Sequence, residues 1–135
     1  MSVIVDQLEL RVRNTSFSQQ QLAAGIDPLG TLIIYTFAAF LNEKKVGTGT
    51  GYSLVVSADT AHCSNSLTLP GRGVILFGGA EEVHTGGEVI SPQPAEVPIL
   101  GGTGEFAGVV GTVSMTPVHG TAPLEHRLVF SLEWP

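Results

Sequence analysis

The sequence predicts an all-β fold, namely a closed antiparallel barrel of eight strands with at most one short helix. Seventeen glycines and eight prolines in 135 residues separate short runs of leucine and β-branched side chains, which is typical of strands joined by turns. From Glu125 to Trp134 polar and apolar residues alternate, so this segment is a strand with one wet and one dry face. Eight short strands close a barrel whose interior is filled by side chains or holds a small ligand.

Eight segments have strand character. In chain order they are residues 3–13, 31–41, 46–57, 60–69, 73–79, 96–100, 109–118 and 124–134. A helix-capping pattern at Ser18 followed by Gly25 indicates a short helix near 18–24 or, as we expect, a loop that crosses between strands. Glycines, prolines and carboxylates are concentrated in 80–95, which is typical of an exposed loop.

The composition favours one domain over residues 1–135. A chain with 43% hydrophobic and 13% charged residues is too apolar and too weakly charged to be disordered. The net charge of −6 argues against binding to nucleic acids, whose phosphates require a basic surface. The single cysteine excludes an internal disulfide, and no apolar run approaches the ~20 residues of a membrane helix. We therefore expect a cytoplasmic protein without a membrane span.

Three glycines recur at every second position, at Gly47, Gly49 and Gly51. On a strand they share one face. Such a row permits sharp coiling and close packing, or leaves room beside the strand for a ligand.

A second glycine-rich run comes directly after a predicted strand. It comprises Gly101, Gly102, Thr103, Gly104, Phe106 and, opening the next strand, Gly111. We interpret it as a tight turn in which Phe106 closes one end of the barrel. The spacing also approaches a dinucleotide-binding fingerprint, but no βαβ unit surrounds it. The run resembles a signature shared by plant dirigent proteins and allene oxide cyclases, and the strands from about residue 5 to 134 follow that family's order.

The resemblance implies a barrel with an apolar lumen and no cofactor, assembled as a homo-oligomer, with a trimer expected ahead of a dimer. It also implies a cyclase or isomerase of secondary-metabolite biosynthesis that folds a hydrophobic small molecule and directs its ring closure. The alternative is a dirigent-like or lipocalin-like barrel that binds such a molecule without chemistry. Both interpretations predict a hydrophobic small-molecule partner.

Glu9 and Arg11 are the candidate catalytic residues. In the allene oxide cyclases that the sequence resembles, a lumen-facing Glu stands at the position of Glu9, and an Asn stands where this chain has Arg11. Residues two apart on a strand share a face, where this pair would act together on an oxyanion or enone. The competing interpretation is a solvated or interface face that also includes Gln7 and Arg13.

Six further residues form the candidate substrate-binding set: Tyr35, Phe37, Tyr52, Ser53, Cys63 and Asn65. The resemblance places Ser53 where allene oxide cyclases have a lumen cysteine, and the two tyrosines can present a phenol to an apolar lumen. The structural alternatives are core packing for the tyrosines and Ser53, and an inert buried thiol for Cys63. The four histidines have no metal-binding spacing, so we expect no metal site.

Overall fold

The computed structural model of the protein is a closed barrel of eight antiparallel strands. Each strand pairs with the next one in the chain, and the last pairs with the first. The strands are β1 (Ile4–Gln21), β2 (Thr31–Leu41), β3 (Lys44–Val55), β4 (Thr60–Leu69), β5 (Gly73–Glu82), β6 (Ala95–Gly102), β7 (Val110–Val118) and β8 (Glu125–Trp134). The structure describes residues 3–22, 30–57, 59–82, 94–118, 120 and 125–135. Within these ranges the one helical element is a single 3₁₀ turn at Gly104–Phe106. The predicted fold class is confirmed.

The predicted bounds of β2 and β4 are confirmed, and β1 differs most from its prediction. The helix or crossing loop expected near 18–24 is wrong over 18–21, because β1 continues to Gln21 and pairs there with Thr31 of β2. Residues 23 and 24 lie outside the described residues. The loop expected at 80–95 overlaps the end of β5 and the start of β6. Its part from 83 to 93 lies outside the described residues.

A β-bulge at Thr15 changes which residues of β1 face the interior. Before the bulge the buried residues are even-numbered, as Leu10 and Val12 show. Beyond it, Phe17 pairs with Tyr35, so odd-numbered residues share the interior face. The Thr15 and Ser16 hydroxyls contact the Thr36 hydroxyl at 2.7 and 2.5 Å. These hydrogen bonds help this polar segment to remain a strand.

Phe106 closes one end of the barrel, as predicted. Its side chain is only 1% exposed and belongs to the main core cluster. The Arg72 guanidinium covers the Phe106 ring from outside the barrel, 5.4 Å from the centre of the ring. The backbones of Gly73 and Thr103 approach so closely there that a Cβ at Gly73 would overlap the Thr103 carbonyl. We call this the closed end.

Aromatic rings fill the barrel above the closed end. Phe77 and Phe130 meet edge to face with their ring centres 5.3 Å apart. Phe37 packs over Gly49, and Asn65 and Tyr35 cover Gly51, so the glycine row faces the interior and is occupied by neighbouring side chains. Of the two interpretations of the row, close packing is confirmed. The largest of the fully buried aliphatic side chains are Leu10, Val55, Leu67, Ile75, Val97, Val113 and Leu132.

Candidate functional site

The interior becomes polar on the side of the aromatic rings away from the closed end. Four neutral side chains from β2, β3 and β4 face inward there: Tyr35, Ser53, Cys63 and Asn65. We call them the polar layer. Strand alternation places them, since each is in register with inward-facing residues of the adjacent strands. All four belong to the substrate-binding set expected from the sequence, and Phe37 of that set lies directly below them.

Tyr35 and Asn65 form the centre of the polar layer. The Tyr35 hydroxyl donates a hydrogen bond to the Asn65 side-chain oxygen. The Asn65 amide nitrogen donates to the Phe77 backbone oxygen at 3.3 Å, and Asn65 is only 6% exposed. The amide nitrogen carries a second hydrogen that can be offered to a ligand. The pair thus gives an apolar barrel one oriented, uncharged polar group.

Ser53 and Cys63 lie one step further from the closed end. They face each other across the β3–β4 ladder and both are buried. The next step is formed by Thr31, whose hydroxyl donates to the Gln21 side-chain oxygen at 2.8 Å. The apolar side chains Ile33, Val55 and Ala61 share these levels and pack with Tyr35. This part of the interior can contact a mostly apolar molecule and offer it a few hydrogen bonds.

Tyr52 does not join this layer, so its placement in the lumen is wrong. Its side chain lies on the outer face of β3 and is 49% exposed. The reason is strand alternation, because Ser53 occupies the inward position and adjacent residues point to opposite faces. Tyr52 instead lines a shallow outer groove with Ile34 and Leu76.

Glu9 and Arg11 also lie on the outer face, so the lumen placement that suggested a catalytic role is wrong for both. Their side chains are 59% and 51% exposed. Arg11 Nε lies 3.3 Å from Glu125 Oε1, and Glu9 Oε1 lies 3.9 Å from an Arg127 nitrogen. The inward positions of this part of β1 belong to leucine and valine. The geometry supports the competing interpretation of a solvated or interface face.

Glu125 is the centre of this outer charge network. Arg13 donates to one of its oxygens from Nε at 3.0 Å and from a terminal nitrogen at 2.7 Å. The Glu125 side chain is 12% exposed, and the Phe40 ring lies 5.2 Å from the Arg13 guanidinium. A cleft of about 730 Å³ runs beside these groups, with Glu9 and Glu43 on its rim. The cleft is lined by equal numbers of acidic and basic side chains. Their ion pairs connect β8 to β1.

Two interior residues are missing from the candidate set. His126 pairs with Val12 on one side and Pro117 on the other, and both partners are buried. Asn14 pairs with Phe37 and shares its inward face. The alternation in the last strand places His126 on the same face as its apolar residues, and this signal is sufficient to identify His126 as an interior residue. Alternation gives the same signal for Asn14, because it precedes the bulge and lies two residues after the inward-facing Val12.

No three His, Cys, Asp or Glu side chains come together in a metal-binding arrangement among the residues described. No helix in the same residues is long and apolar enough to span a membrane.

The profile of the allene oxide cyclase barrel like domain matches residues 9–130. No curated protein sequence gives a match.

Solved structures with the same fold have low sequence identity to the chain. A pyocyanin demethylase is 20% identical, with 91% of this chain and 98% of that chain covered and a TM-score of 0.73. The pterocarpan synthase dirigent protein GePTS1 is 13% identical, with 100% and 87% covered and a TM-score of 0.74. The Diels Alderase AbmU from Streptomyces koyangensis is 20% identical, with 99% and 69% covered and a TM-score of 0.70.

Proposed function

Because the chain belongs to the allene oxide cyclase barrel-like family, we propose that it is a cofactor-independent cyclase. It folds a hydrophobic small molecule inside the barrel and directs its ring closure, as a step of secondary-metabolite biosynthesis. One observation carries the proposal: the hydrogen-bonded Tyr35–Asn65 pair is held in an interior that is lined mainly by aromatic and aliphatic side chains, with a few neutral polar groups beside the pair.

The rigid interior accounts for the catalytic effect. Ring closure of a flexible chain is slow mainly because few of its conformers bring the reacting carbons together. Packed walls such as Phe37, Phe77 and Ile33 exclude most conformers, since they cannot move aside. A carbonyl of the substrate accepts a hydrogen bond from the Asn65 amide, which draws electron density away from the adjoining double bond.

A ring closure by [4+2] cycloaddition fits such an interior. Two π bonds are converted into two carbon–carbon σ bonds, and no proton, electron or co-reactant is needed. The names of two structural neighbours, a Diels Alderase and a pterocarpan synthase dirigent protein, support a function of this class.

The binding step is tested with Nile red, a neutral apolar dye whose fluorescence rises in apolar surroundings. We expect saturable binding with one dye per chain. Ser53→Trp fills the interior and abolishes binding, whereas Tyr52→Trp, the matched change at the adjacent outward position, leaves it intact. Equal binding by both variants, each shown to be folded by circular dichroism, overturns the interior site.

The catalytic step is tested with a linear trienone, in which a conjugated diene is tethered to an enone that closes slowly by itself. The proposal predicts faster closure and a single diastereomer. If the molecule binds but its rate and product mixture are unchanged, the protein is a binding barrel and the cyclase proposal is wrong.

For the assembly, our proposal is a homo-oligomer in which a second copy covers the outer face of β2–β5. The charged residues of these four strands are confined to the first two positions of β3 and the last two of β5; residues 31–41, 46–55, 60–69 and 73–80 contain no Asp, Glu, Lys or Arg. Ile34, Tyr52 and Leu76 are exposed on the face, and Leu32 borders them. An exposed apolar patch without charge is typical of an interaction site.

The size of this neutral face suits a second copy of the chain. Four strands of about ten residues cover roughly 600 Å² in projection, near the ~800 Å² of accessible surface per partner in a stable interface. Two such faces meet without desolvating a charge. Multi-angle light scattering distinguishes the expected trimer from a dimer, and a monomer at micromolar concentration overturns the proposal.

A further inference from the structure

Two arginines lie side by side on the outer face of the barrel. Arg11 of β1 and Arg127 of β8 are direct ladder partners, so their Cβ atoms are about 5 Å apart. Both side chains are exposed and line the cleft of about 730 Å³ beside Glu125, which we call the outer cleft. Like charges directly opposite each other destabilise a sheet, so this pair favours a negative group between its two guanidiniums.

The carboxylates of the protein leave most donors of this pair unused. Arg11 Nε lies 3.3 Å from Glu125 Oε1, and the nearest Arg127 nitrogen lies 3.9 Å from Glu9 Oε1. Neither guanidinium donates a hydrogen bond to a residue that the structure describes. Arg13 differs, since it donates twice to Glu125. Each guanidinium has five N–H donors, so the Arg11–Arg127 pair retains donors for a ligand in the outer cleft.

The charge of this wall suits one negative group. Its three guanidiniums contact two carboxylates, those of Glu9 and Glu125, which leaves one positive charge. The third acidic side chain of the outer cleft, Glu43, belongs to the hairpin between β2 and β3 and forms no ion pair with the described residues. A carboxylate neutralises the wall, whereas a dianionic phosphate would add a negative charge close to two carboxylates.

The outer cleft also has an apolar part. Phe40, Leu41 and Val118 line it together with the arginines. Leu41 is exposed, and the Phe40 ring lies against the Arg13 guanidinium. The cleft volume falls within the roughly 300–1,000 Å³ of small-molecule sites. An apolar body can therefore lie beside the arginine pair.

We propose that the outer cleft binds an apolar organic carboxylate. One carboxylate oxygen accepts hydrogen bonds from Arg11 and the other accepts them from Arg127, because the planar guanidinium fork matches the geometry of a carboxylate. The body of the molecule lies against Phe40 and Leu41. This site is outside the barrel and does not depend on the proposed function.

The charge requirement is tested with 2-naphthoate and 2-naphthamide, which have the same shape and differ in charge. We expect the wild-type protein to bind 2-naphthoate about tenfold more tightly, as measured by NMR titration at low salt. Arg11→Gln and Arg127→Gln each lower the affinity for 2-naphthoate by about three- to tenfold and remove most of the preference. Arg72→Gln is the matched control and keeps the preference, since Arg72 is also exposed and paired with a glutamate but lies at the closed end.

A second control separates the outer cleft from the interior. Ser53→Trp, which fills the interior, is expected to keep the preference for 2-naphthoate. If the preference disappears in folded Ser53→Trp, the carboxylate binds inside the barrel and the proposal is wrong. Loss of Nile red binding by the wild-type protein would refute the interior site and leave this proposal standing.

Three further results overturn the proposal. The first is equal affinity for 2-naphthoate and 2-naphthamide. The second is a preference that survives both cleft substitutions or that falls as much in Arg72→Gln. The third is tighter binding of 2-naphthyl phosphate than of 2-naphthoate, which would identify a site for dianions. Thermal melting of each variant shows that the comparison is made on folded protein.

Discussion

The ring of Phe37 packs directly onto the bare backbone of Gly49, its ladder partner across β2 and β3. A Cβ on Gly49 would overlap the tip of the ring. Phe37 lies just below the Tyr35–Asn65 pair. Because Gly49 has no side chain, the Phe37 ring can lie there, directly beneath the polar layer.

Gly49→Ala is therefore expected to lower the free energy of unfolding by about 1–3 kcal/mol, the usual cost of overpacking a core. Urea denaturation measures the change. Thr48→Ala, at the adjacent outward position, serves as the control and should stay within about 0.5 kcal/mol of wild type. Adding Phe37→Leu to Gly49→Ala should recover part of the loss. A Gly49→Ala protein as stable as wild type would show that the ring can move aside.

Tyr35→Phe removes the donor that satisfies the buried Asn65 oxygen. Leaving such an acceptor unpaired costs about 1–3 kcal/mol of stability. Tyr52→Phe is the matched control, because Tyr52 is the second of the two tyrosines and lies on the outer face. Equal stability of the two variants would mean that the Tyr35–Asn65 hydrogen bond contributes nothing.

Glu9→Gln and Arg11→Met are expected to leave the Kd for Nile red within about twofold of wild type, since both side chains lie on the outer face and a lost surface ion pair is worth at most about 1 kcal/mol. Fluorescence titration checks this. A loss of tenfold or more in either folded variant would place the binding site on the outer face instead.

Asp59 is expected to titrate at a lower pH than an ordinary aspartate. The Ser57 and Thr60 hydroxyls donate to its carboxylate at 2.9 and 3.0 Å and lower its pKa below the ordinary value of 3.8. Because the folded pKa is the lower one, the associated stability is present above 3.8 and is lost as the pH falls through the folded pKa. An NMR titration should show the pKa rising in Ser57→Ala. An unchanged titration would assign the shift to other groups.

Ile34→Glu should dissociate the proposed homo-oligomer, because it introduces a charge into the neutral face of β2–β5. Val110→Glu is the control, since Val110 is also exposed and apolar but belongs to β7. Light scattering is expected to give a smaller mass for Ile34→Glu alone. Dissociation by Val110→Glu and not by Ile34→Glu would move the interface to another face.

The sequence by itself determined the barrel and the element that closes it. Alternation in β8 and the glycine punctuation are local signals, because they record which backbone conformations and which sides of a strand are required nearby. Phe106, after its glycine turn, was assigned correctly to one end for the same reason.

Only the tertiary structure decided which side chains reach the interior and which of them meet. Alternation shows that Glu9 and Arg11 share a face, but not that the face is the outer one, and it permits either Tyr52 or Ser53 to point inward. The bulge at Thr15 reverses the faces within one strand and depends on pairing with β2. The Tyr35–Asn65 hydrogen bond arises from the ladder register of β2, β3 and β4, which residues distant in the chain establish together.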